Sequence, residues 1–207
     1  MRVINRKRST KDSTKCSKCE DIARPRGIGA EVETTLLLAD VRGSTTMAEG
    51  MSATEFTELM NRFFHVANRI LVDHDALIDK MVGDQVIGVF IPALAGEHCS
   101  VEALEAAREL VKATMKLELK GHRIPIGVGL HRGPTYVGTV GAEDTVADIT
   151  VIGDTVNTTA RLSSVAAGGE ILVSEALGSA TGLADRDIPS RELELKGKSQ
   201  ALPVYVL

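Results

Sequence analysis

Two aspartates stand where the chain is predicted to turn at strand ends. Asp40 closes the apolar run in "TTLLLADV", which predicts a buried strand. Asp84 lies in "KMVGDQV", where Gly-Asp is an ordinary hairpin turn. If that hairpin pairs beside the first strand, the two carboxylates converge on one edge of the sheet. Two such oxygen ligands suit Mg²⁺ or Mn²⁺, although each aspartate alone is also explained as a turn or cap residue.

A run of small residues begins three positions after Asp40. Gly43, Ser44, Thr45 and Thr46 form the segment after "ADVR". Their backbone N–H groups are available to a phosphate, because successive amides in a tight turn form an anion-binding concavity. A phosphate next to a divalent cation is the usual arrangement in magnesium-dependent nucleotide chemistry.

A second polar set lies in "GDTVNTTARLSSVA", which predicts a helix with Asp154 as its N-cap. Asn157 and Arg161 are four residues apart, so they share one face of that helix. Asparagine is a weak helix former, and a guanidinium is well suited to oxyanions. The alternative is an exposed polar face on which Arg161 pairs with a carboxylate.

Two further helices are predicted. "SATE" at 52–55 is a capping box, with Ser52 as N-cap and Glu55 three residues on. The following apolar residues recur at helical spacing and are predicted to be core: Phe56, Leu59, Met60, Phe63, Phe64, Ala67, Ile70 and Leu71. A second helix is predicted over 100–119, with Gly121 as its stop.

The remaining segments are predicted to form mainly strands. "LIDKMVGDQVIGVF" predicts a hairpin, "IPIGVGLHRGPTYVGTVG" two strands separated at Gly-Pro, and "GGEILVSEAL" a strand and a short helix. "RELELKGKSQALPVYVL" predicts a closing hairpin. The order βαββαβ, with additional C-terminal α and β elements, predicts an α+β fold with a mostly antiparallel sheet and helices on one face.

The composition is that of one globular domain with a tail. Of the 207 residues, 43% are apolar and 25% charged, and no apolar run reaches the length of a membrane span. The N-terminus lacks the apolar stretch of a signal peptide, so a cytoplasmic location is expected.

The N-terminal segment differs in charge from the rest. Residues 1–30 carry nine Lys/Arg and three Asp/Glu, whereas the whole chain has a net charge of −4. A basic arm on an acidic body predicts a flexible, solvated segment. Contact with nucleic acid is not expected because the arm has no aromatic residue, and contact with an anionic membrane is a disfavoured alternative. Cys16 and Cys19 form a lone CxxC, half of a zinc knuckle at best.

Five separated motifs resemble one known family. "LLLADVRGSTTMAE", "KMVGDQVIGVF", "VGLHRGPTYVGTVG", "TVIGDTVNTTARLSS" and "LELKGKSQALPVYVL" are similar, in order and spacing, to the class III nucleotidyl cyclase catalytic domain of the bacterial adenylate cyclase type. The resemblance covers residues 33–207 and leaves 1–32 outside. It implies a ferredoxin-like, palm-type βαββαβ core.

The resemblance also implies residue roles at the metal and phosphate end. Asp40 and Asp84 match the two metal-binding aspartates, and the backbone carbonyl of Val41 matches a further ligand. Two divalent ions per site, Mg²⁺ or Mn²⁺, are implied. Gly43, Ser44 and Thr45 remain the candidates for binding phosphate.

For the nucleotide, Lys80 matches the residue that reads the purine base, and Thr150 matches its partner. Lysine there implies adenine, because it can donate to ring N1, which is an acceptor in adenine and protonated in guanine. Asn157 and Arg161 match the pair that orients the ribose and steadies the reacting phosphate. Lys196 matches a lysine that contacts the triphosphate, with Lys198 as the alternative. His131 belongs to a strand motif and is interpreted as structural.

The implied reaction is attack of the ATP 3′-hydroxyl on the α-phosphorus, which gives cyclic AMP and pyrophosphate. In this family the site is built across a dimer, so a homodimer with shared active sites is implied. Two alternatives stay open: a nucleotide-binding regulatory module that does not turn over, and a guanylate cyclase.

Overall fold

The computed structural model describes residues 29–207 except 120, 141–147, 196 and 199. The strands are β1 (Gly29–Val41), β2 (Leu77–Val82), β3 (Gln85–Phe90), β4 (Glu118–Leu119), β5 (His122–Arg123), β6 (Ile126–Val140), β7 (Asp148–Ile152), β8 (Ile171–Ser174), β9 (Ser190–Leu193) and β10 (Leu202–Val206). The helices are α1 (Ser44–Gly50), α2 (Ala53–Asp73), α3 (Pro92–Ala95), α4 (Cys99–Thr114), α5 (Asp154–Val165) and α6 (Glu175–Thr181).

Within these described residues, eight strands form one sheet in the order β2-β3-β1-β6-β8-β10-β9, with β7 paired to β6. The pairing of β6 with β8 is parallel, and the other pairings in this sheet are antiparallel. The predicted α+β fold with a βαββαβ core and additional C-terminal elements is confirmed. Strand β1 lies between β3 and β6 in the sheet, so whatever stands at its end adjoins both neighbours.

The helix that follows β1 forms as predicted. Ser52 Oγ accepts from the Glu55 amide while the Glu55 carboxylate accepts from the Ser52 amide, so the capping box is present. The predicted core residues Leu59, Met60, Phe63, Ala67, Ile70 and Leu71 are buried in α2, and Phe56 and Phe64 pack partly buried against them. This packing holds α2 on the sheet face formed by Leu37 and Ala39.

One helix lies on the opposite face, so the prediction that all helices share one face is wrong. Cross-strand partners in β1 and β6 point to the same side, and Leu38 pairs with Gly129 while Asp40 pairs with Gly127. A Cβ at Gly129 would meet backbone atoms of α5. The absence of side chains at these two glycines therefore lets α5 lie directly on the strand, on the same face as Asp40.

We expect Gly129→Ala to lower the free energy of unfolding by about 1–3 kcal/mol, because overpacking shifts the backbone. The added Cβ would lie 2.4 Å from the Ser163 nitrogen and 2.5 Å from the Thr159 oxygen, neither of which is a flexible side-chain end. Urea unfolding measures the change. Gly50→Ala is the matched control, since nothing lies within 4 Å of its Cβ position. Equal stability of the two variants would contradict the close packing of α5 on β6.

Strand β6 is continuous, and the predicted break at Gly133-Pro134 is wrong. Pro134 pairs with Glu33 of β1 inside the strand. The Pro134 carbonyl accepts a hydrogen bond from Thr155 Oγ1 at 2.6 Å, so it points away from β1. The Pro134 nitrogen points to the same edge of β6, at a position between the residues that pair with β8 and those that pair with β7. Proline is tolerated there because no strand partner requires an N–H at that position.

The second predicted helix is shorter than 100–119. Helix α4 ends at Thr114, and Glu118–Leu119 instead pairs with His122–Arg123 in a small hairpin. Gly121 has φ +87°, which suits the turn of that hairpin, so it serves a turn and not a helix stop. Residues 29–32 begin β1, whereas the rest of the predicted N-terminal segment, including Cys16 and Cys19, lies outside the described residues.

None of the helices in the described part of the chain combines the length and apolar character that a membrane crossing requires.

Candidate active site

The ends of β1 and of the β2–β3 hairpin come together as the sequence predicts. Asp40 pairs with Gln85, the first residue of β3, and the Val41 amide donates to the Asp84 carbonyl at 3.1 Å. Gly83 takes φ +64°, which makes the two-residue turn that presents Asp84. The two carboxylates therefore stand side by side at one edge of the sheet.

The Asp40 carboxylate is largely shielded, and each of its oxygens accepts a hydrogen bond from a side chain. One oxygen accepts from the Arg42 guanidinium and the other from the Gln85 amide. Burial raises the pKa of Asp40, and the like charge of Asp84 adds to that effect. The hydrogen bond from Gln85 and the charge of Arg42 lower this pKa but do not cancel the increase. The site therefore holds two repelling carboxylates, only partly neutralised by protein groups.

This pair fits a divalent cation of the magnesium type. Among the described residues, no group of three or more His, Cys, Asp or Glu could hold a metal ion. Mg²⁺ and Mn²⁺ do not require such a cage, since one or two carboxylates suffice when substrate phosphates complete the coordination. The carboxylates of Asp40 and Asp84 would hold the ion, with the Val41 carbonyl as the predicted additional ligand.

The small residues after Asp40 form the start of α1. Gly43 takes φ +71° and its carbonyl accepts from Met47, while Ser44 and Thr45 occupy the first helical positions. Ser44 Oγ donates to the Asp84 carboxylate. Ser44 therefore connects this turn directly to the hairpin tip.

Helix α5 carries the second polar set. Its N-cap is Gly153, so the prediction of Asp154 as N-cap is wrong; Asp154 is the first helical residue, and its carboxylate binds the Lys198 ammonium. This hydrogen bond from Lys198 lowers the pKa of Asp154. The side chain is thus engaged outside the helix and does not cap it.

Asn157 is exposed and Arg161 half-buried on α5. Arg161 forms no salt bridge with any residue that the structure describes, so the alternative of a carboxylate-paired arginine is not supported there. Gly197 lies against its guanidinium, since a Cβ at Gly197 would be 3.2–3.3 Å from the two terminal nitrogens. Lys196 is outside the described residues, whereas Lys198 is held at the beginning of α5.

The predicted base-reading residues lie on two strands that contact each other. Lys80 is exposed on β2, and Thr150 is 7% exposed on β7. Strand β7 packs over the sheet face through Val151, which clusters with Leu77 of β2. No described contact joins the Lys80 and Thr150 side chains, but their strands are neighbours.

The predicted residues thus form two separate groups within one chain. The first contains Asp40, Val41, Gly43, Ser44, Thr45 and Asp84 at the end of β1. The second contains Asn157, Arg161 and Lys198 at α5, with Lys80 and Thr150 on the strands nearby. The charges that shift the pKa of Asp40 are those of Arg42 and Asp84, not those of Arg161 or Lys198. No hydrogen bond or salt bridge among the described residues joins Asn157, Arg161 or Lys198 to Asp40 or Asp84.

His131 packs against β8, which agrees with its interpretation as a structural residue. Its Nδ1 lies 2.8 Å from Ser174 Oγ. Burial lowers the pKa of His131 to about 4, and the positive charge of Lys198 adds to this, while Asp154 opposes it. The imidazole is therefore neutral at neutral pH.

We expect His131 to make the fold sensitive to acid. Its folded pKa of about 4 lies below the usual unfolded value, so the unfolded chain binds more protons and stability falls as pH drops below 6.5. The loss is about 2 kcal/mol at about pH 5. Urea unfolding at pH 7.5 and pH 5 should therefore show a smaller pH dependence for His131→Gln by that amount. An unchanged pH dependence would contradict a buried neutral imidazole.

Two functional neighbours are absent from the sequence-based prediction. Arg42 stands in the turn directly after β1, two residues from Asp40, and this closeness in the chain could have revealed it. Gln85 could not be recognised in this way, because its contact depends on the register between β1 and β3.

Known proteins share this architecture. Residues 30–207 match the family described as the adenylate and guanylate cyclase catalytic domain. An adenylate cyclase of Anabaena cylindrica is 29% identical over 183 residues, which covers 83% of this chain and 36% of that protein. The chain thus spans about a third of that relative's length.

Solved structures agree on the fold. The adenylyl cyclase CyaB from P. aeruginosa superposes with a TM-score of 0.75 at 27% identity, covering 86% of this chain and 95% of that one. The guanylyl cyclase Cya2 gives 0.73 at 25% identity, covering 86% and 92%. Enzymes named for both nucleotides are therefore structural neighbours. The chain belongs to the family of adenylate and guanylate cyclase catalytic domains.

Proposed function

We propose that this cyclase domain is an adenylate cyclase, a phosphorus–oxygen lyase that converts ATP to 3′,5′-cyclic AMP and pyrophosphate. The observation that carries the proposal is the convergence of Asp40 and Asp84 at the end of β1, in a chain of the cyclase family. A cyclase domain that had lost its catalytic activity would be expected to lack one of these two carboxylates, or Asn157, or Arg161. The chain retains both carboxylates as well as Asn157 and Arg161.

The choice of ATP rests on Lys80. Its ammonium is a donor only, and it matches the acceptor at adenine N1 but not the protonated N1 of guanine. The side chain is exposed on β2, where a base can reach it. Thr150, on the adjacent β7, would be its partner at the base. The similarity to guanylyl cyclase Cya2 makes guanylate cyclase the second candidate.

In the proposed reaction, each protein group has a separate task. Asp40 and Asp84, with the Val41 carbonyl, would hold two divalent cations, Mg²⁺ or Mn²⁺. When bound, these supply a lowered pKa for the attacking 3′-hydroxyl and charge neutralisation at the triphosphate. The amides at Gly43, Ser44 and Thr45 would contact phosphate oxygens.

The second group would act on the ribose and the reacting phosphate. Asn157 would orient the ribose so that its 3′-oxygen lies in line with the α-phosphorus. Arg161, free of a described salt bridge, would stabilise negative charge on the phosphate oxygens, an effect whose loss typically costs about 10²–10³ in rate. Lys196 or Lys198 would bind the triphosphate; Lys198 would first have to leave Asp154.

We further propose that two copies of the chain form a homodimer and that each site combines the first group of one copy with the second group of its partner. The lack of a described hydrogen bond or salt bridge between Asn157 or Arg161 and the two aspartates supports this arrangement. Large apolar side chains are exposed near the second group: Met81 on β2, Val140 on β6 and Ile152 on β7, at 39–50% exposure. A second copy covering these residues would gain free energy from their burial.

The test is product formation by the purified protein with ATP and Mn²⁺, and separately with GTP. Cyclic AMP from ATP, absent in Asp84→Ala, is the expected result. Cyclic GMP as the main product would instead favour guanylate cyclase and a different role for Lys80. ATP binding without any product would favour a regulatory module.

A further inference from the structure

The Asp40 carboxylate, which is proposed to bind metal, already pairs with a positively charged side chain of the same chain. One Asp40 oxygen accepts from the Arg42 guanidinium and the other from the Gln85 side-chain amide. The Asp40 and Arg42 side chains are only 14% and 23% exposed, so water screens their charges weakly. Asp40 is therefore held and partly neutralised by protein groups.

Arg42 has a second anchor away from the carboxylates. Its Nη1 donates to the Ser164 carbonyl at 2.9 Å, in the last turn of α5. Carbonyls in the last helical turn lack intrahelical donors and carry the negative end of the helix dipole, so a guanidinium is stabilised there. The Arg42 amide also donates to the Pro125 carbonyl at 2.7 Å, which fixes the backbone from which the side chain extends.

The two donors on Asp40 respond differently to an arriving divalent cation. Gln85 is neutral, and a carboxylate oxygen has a second lone pair, so its hydrogen bond is compatible with metal coordination. The Arg42 guanidinium carries a permanent positive charge, so a divalent cation bound to the same carboxylate would repel it. The bond to Ser164 is made by Nη1 and the contact with the Asp40 carboxylate by Nη2, so the first does not depend on the second.

We propose that Arg42 is a displaceable internal counter-ion of the metal site: it neutralises Asp40 in the metal-free protein and withdraws to the end of α5 when a divalent cation binds. This inference rests on the proposed function, which assigns the metal to Asp40 and Asp84. Arg42 acts as a positioning residue that lowers metal affinity and stabilises the empty site.

The position of Arg42 also connects the two groups of site residues. Asp40 belongs to the first group, whereas α5 carries Asn157 and Arg161 of the second. In the proposed homodimer these groups serve different sites. Metal binding at one site would therefore change a contact to the helix that serves the other site.

The experiment measures Mn²⁺ binding without nucleotide, by electron paramagnetic resonance of free Mn²⁺, for the wild-type chain, Arg42→Ala and Arg132→Ala. Arg132 is the matched control, because its guanidinium pairs with Glu33 on an exposed surface. We expect Arg42→Ala to bind Mn²⁺ roughly tenfold more tightly or better, within the range typical of coupled sites. Arg132→Ala should bind like wild type.

Thermal unfolding provides a second readout that a purely structural role of Arg42 would not reproduce. Without metal, Arg42→Ala should melt below wild type, because the empty site loses its counter-ion. Saturating Mn²⁺ should reduce that difference, since a ligand that binds the variant more tightly stabilises it more. A difference in melting temperature that Mn²⁺ leaves unchanged would overturn the proposal.

Asp40→Asn separates the failure of this inference from the failure of the proposed function. If Asp40→Asn abolishes Mn²⁺ binding but Arg42→Ala binds no more tightly than wild type, the counter-ion role is wrong and the metal assignment stands. If Mn²⁺ binding survives in Asp40→Asn, the metal assignment itself is wrong, and the inference falls with it.

Discussion

Replacing Asp40 by asparagine should abolish nucleotide cyclisation and, in the absence of metal, make the protein more stable. Loss of a ligand that holds a catalytic cation removes several kcal/mol of transition-state stabilisation, which corresponds to a rate decrease of about 10³-fold or more. The stability gain has a different origin: burial raises the pKa of Asp40, so the folded state disfavours the charged carboxylate that it must hold at neutral pH.

The direction in which the pKa of Asp40 is shifted defines how the stability gain of Asp40→Asn depends on pH. Because the folded pKa of Asp40 lies above the unfolded value, folding is most favoured when the carboxyl group is protonated, below the unfolded pKa of 3.8. Stability is lost as pH rises through the folded pKa. Asparagine resembles the protonated acid, so the advantage of the variant should appear at neutral pH and disappear in acid.

Thermal unfolding of metal-free protein at pH 7.5 and pH 4, together with a cyclase assay, measures both effects. Asp185→Asn is a suitable control because Asp185 is exposed in the loop after α6. It should leave activity and stability at their wild-type levels. Retained cyclase activity in Asp40→Asn, or a lower melting temperature than wild type at pH 7.5, would contradict this account of the site.

Mixing two inactive variants should restore activity if the sites are shared between two copies. Asp84→Ala damages the first group of site residues and Arg161→Ala the second. In a heterodimer of these chains, one site carries both defects and the other carries neither. With random exchange, half the dimers are mixed and each has one intact site of two, which gives about one quarter of wild-type activity.

The matched control mixes Asp84→Ala with Asp40→Ala. Both substitutions lie in the first group, so every site in every dimer is damaged and no activity should return. Recovery in that control, or none in the Asp84→Ala and Arg161→Ala mixture, would show that the sites are not divided between copies as proposed. The assay requires only cyclic nucleotide production at fixed total protein after co-incubation.

Much of the fold follows from local sequence signals. The capping box at Ser52 and the apolar spacing in α2 predict that helix because cap and periodicity are properties of neighbouring residues. The Gly83-Asp84 turn and the hairpin around it are local in the same sense. The strand break predicted at Pro134 is wrong because distant segments decide which edge of β6 lacks a strand partner, and a proline is tolerated at that edge.

Local residue patterns suffice to predict the βαββαβ order, the hairpin that presents Asp84 and the placement of Asn157 and Arg161 on one helical face. Each depends on residues close together in the chain. Two other features depend on long-range packing: α5 lies against Gly129 on the face of Asp40, and Arg42 bridges Asp40 to Ser164. The Arg42–Ser164 contact joins residues more than a hundred positions apart, and it forms because strand register and close helix packing bring them together.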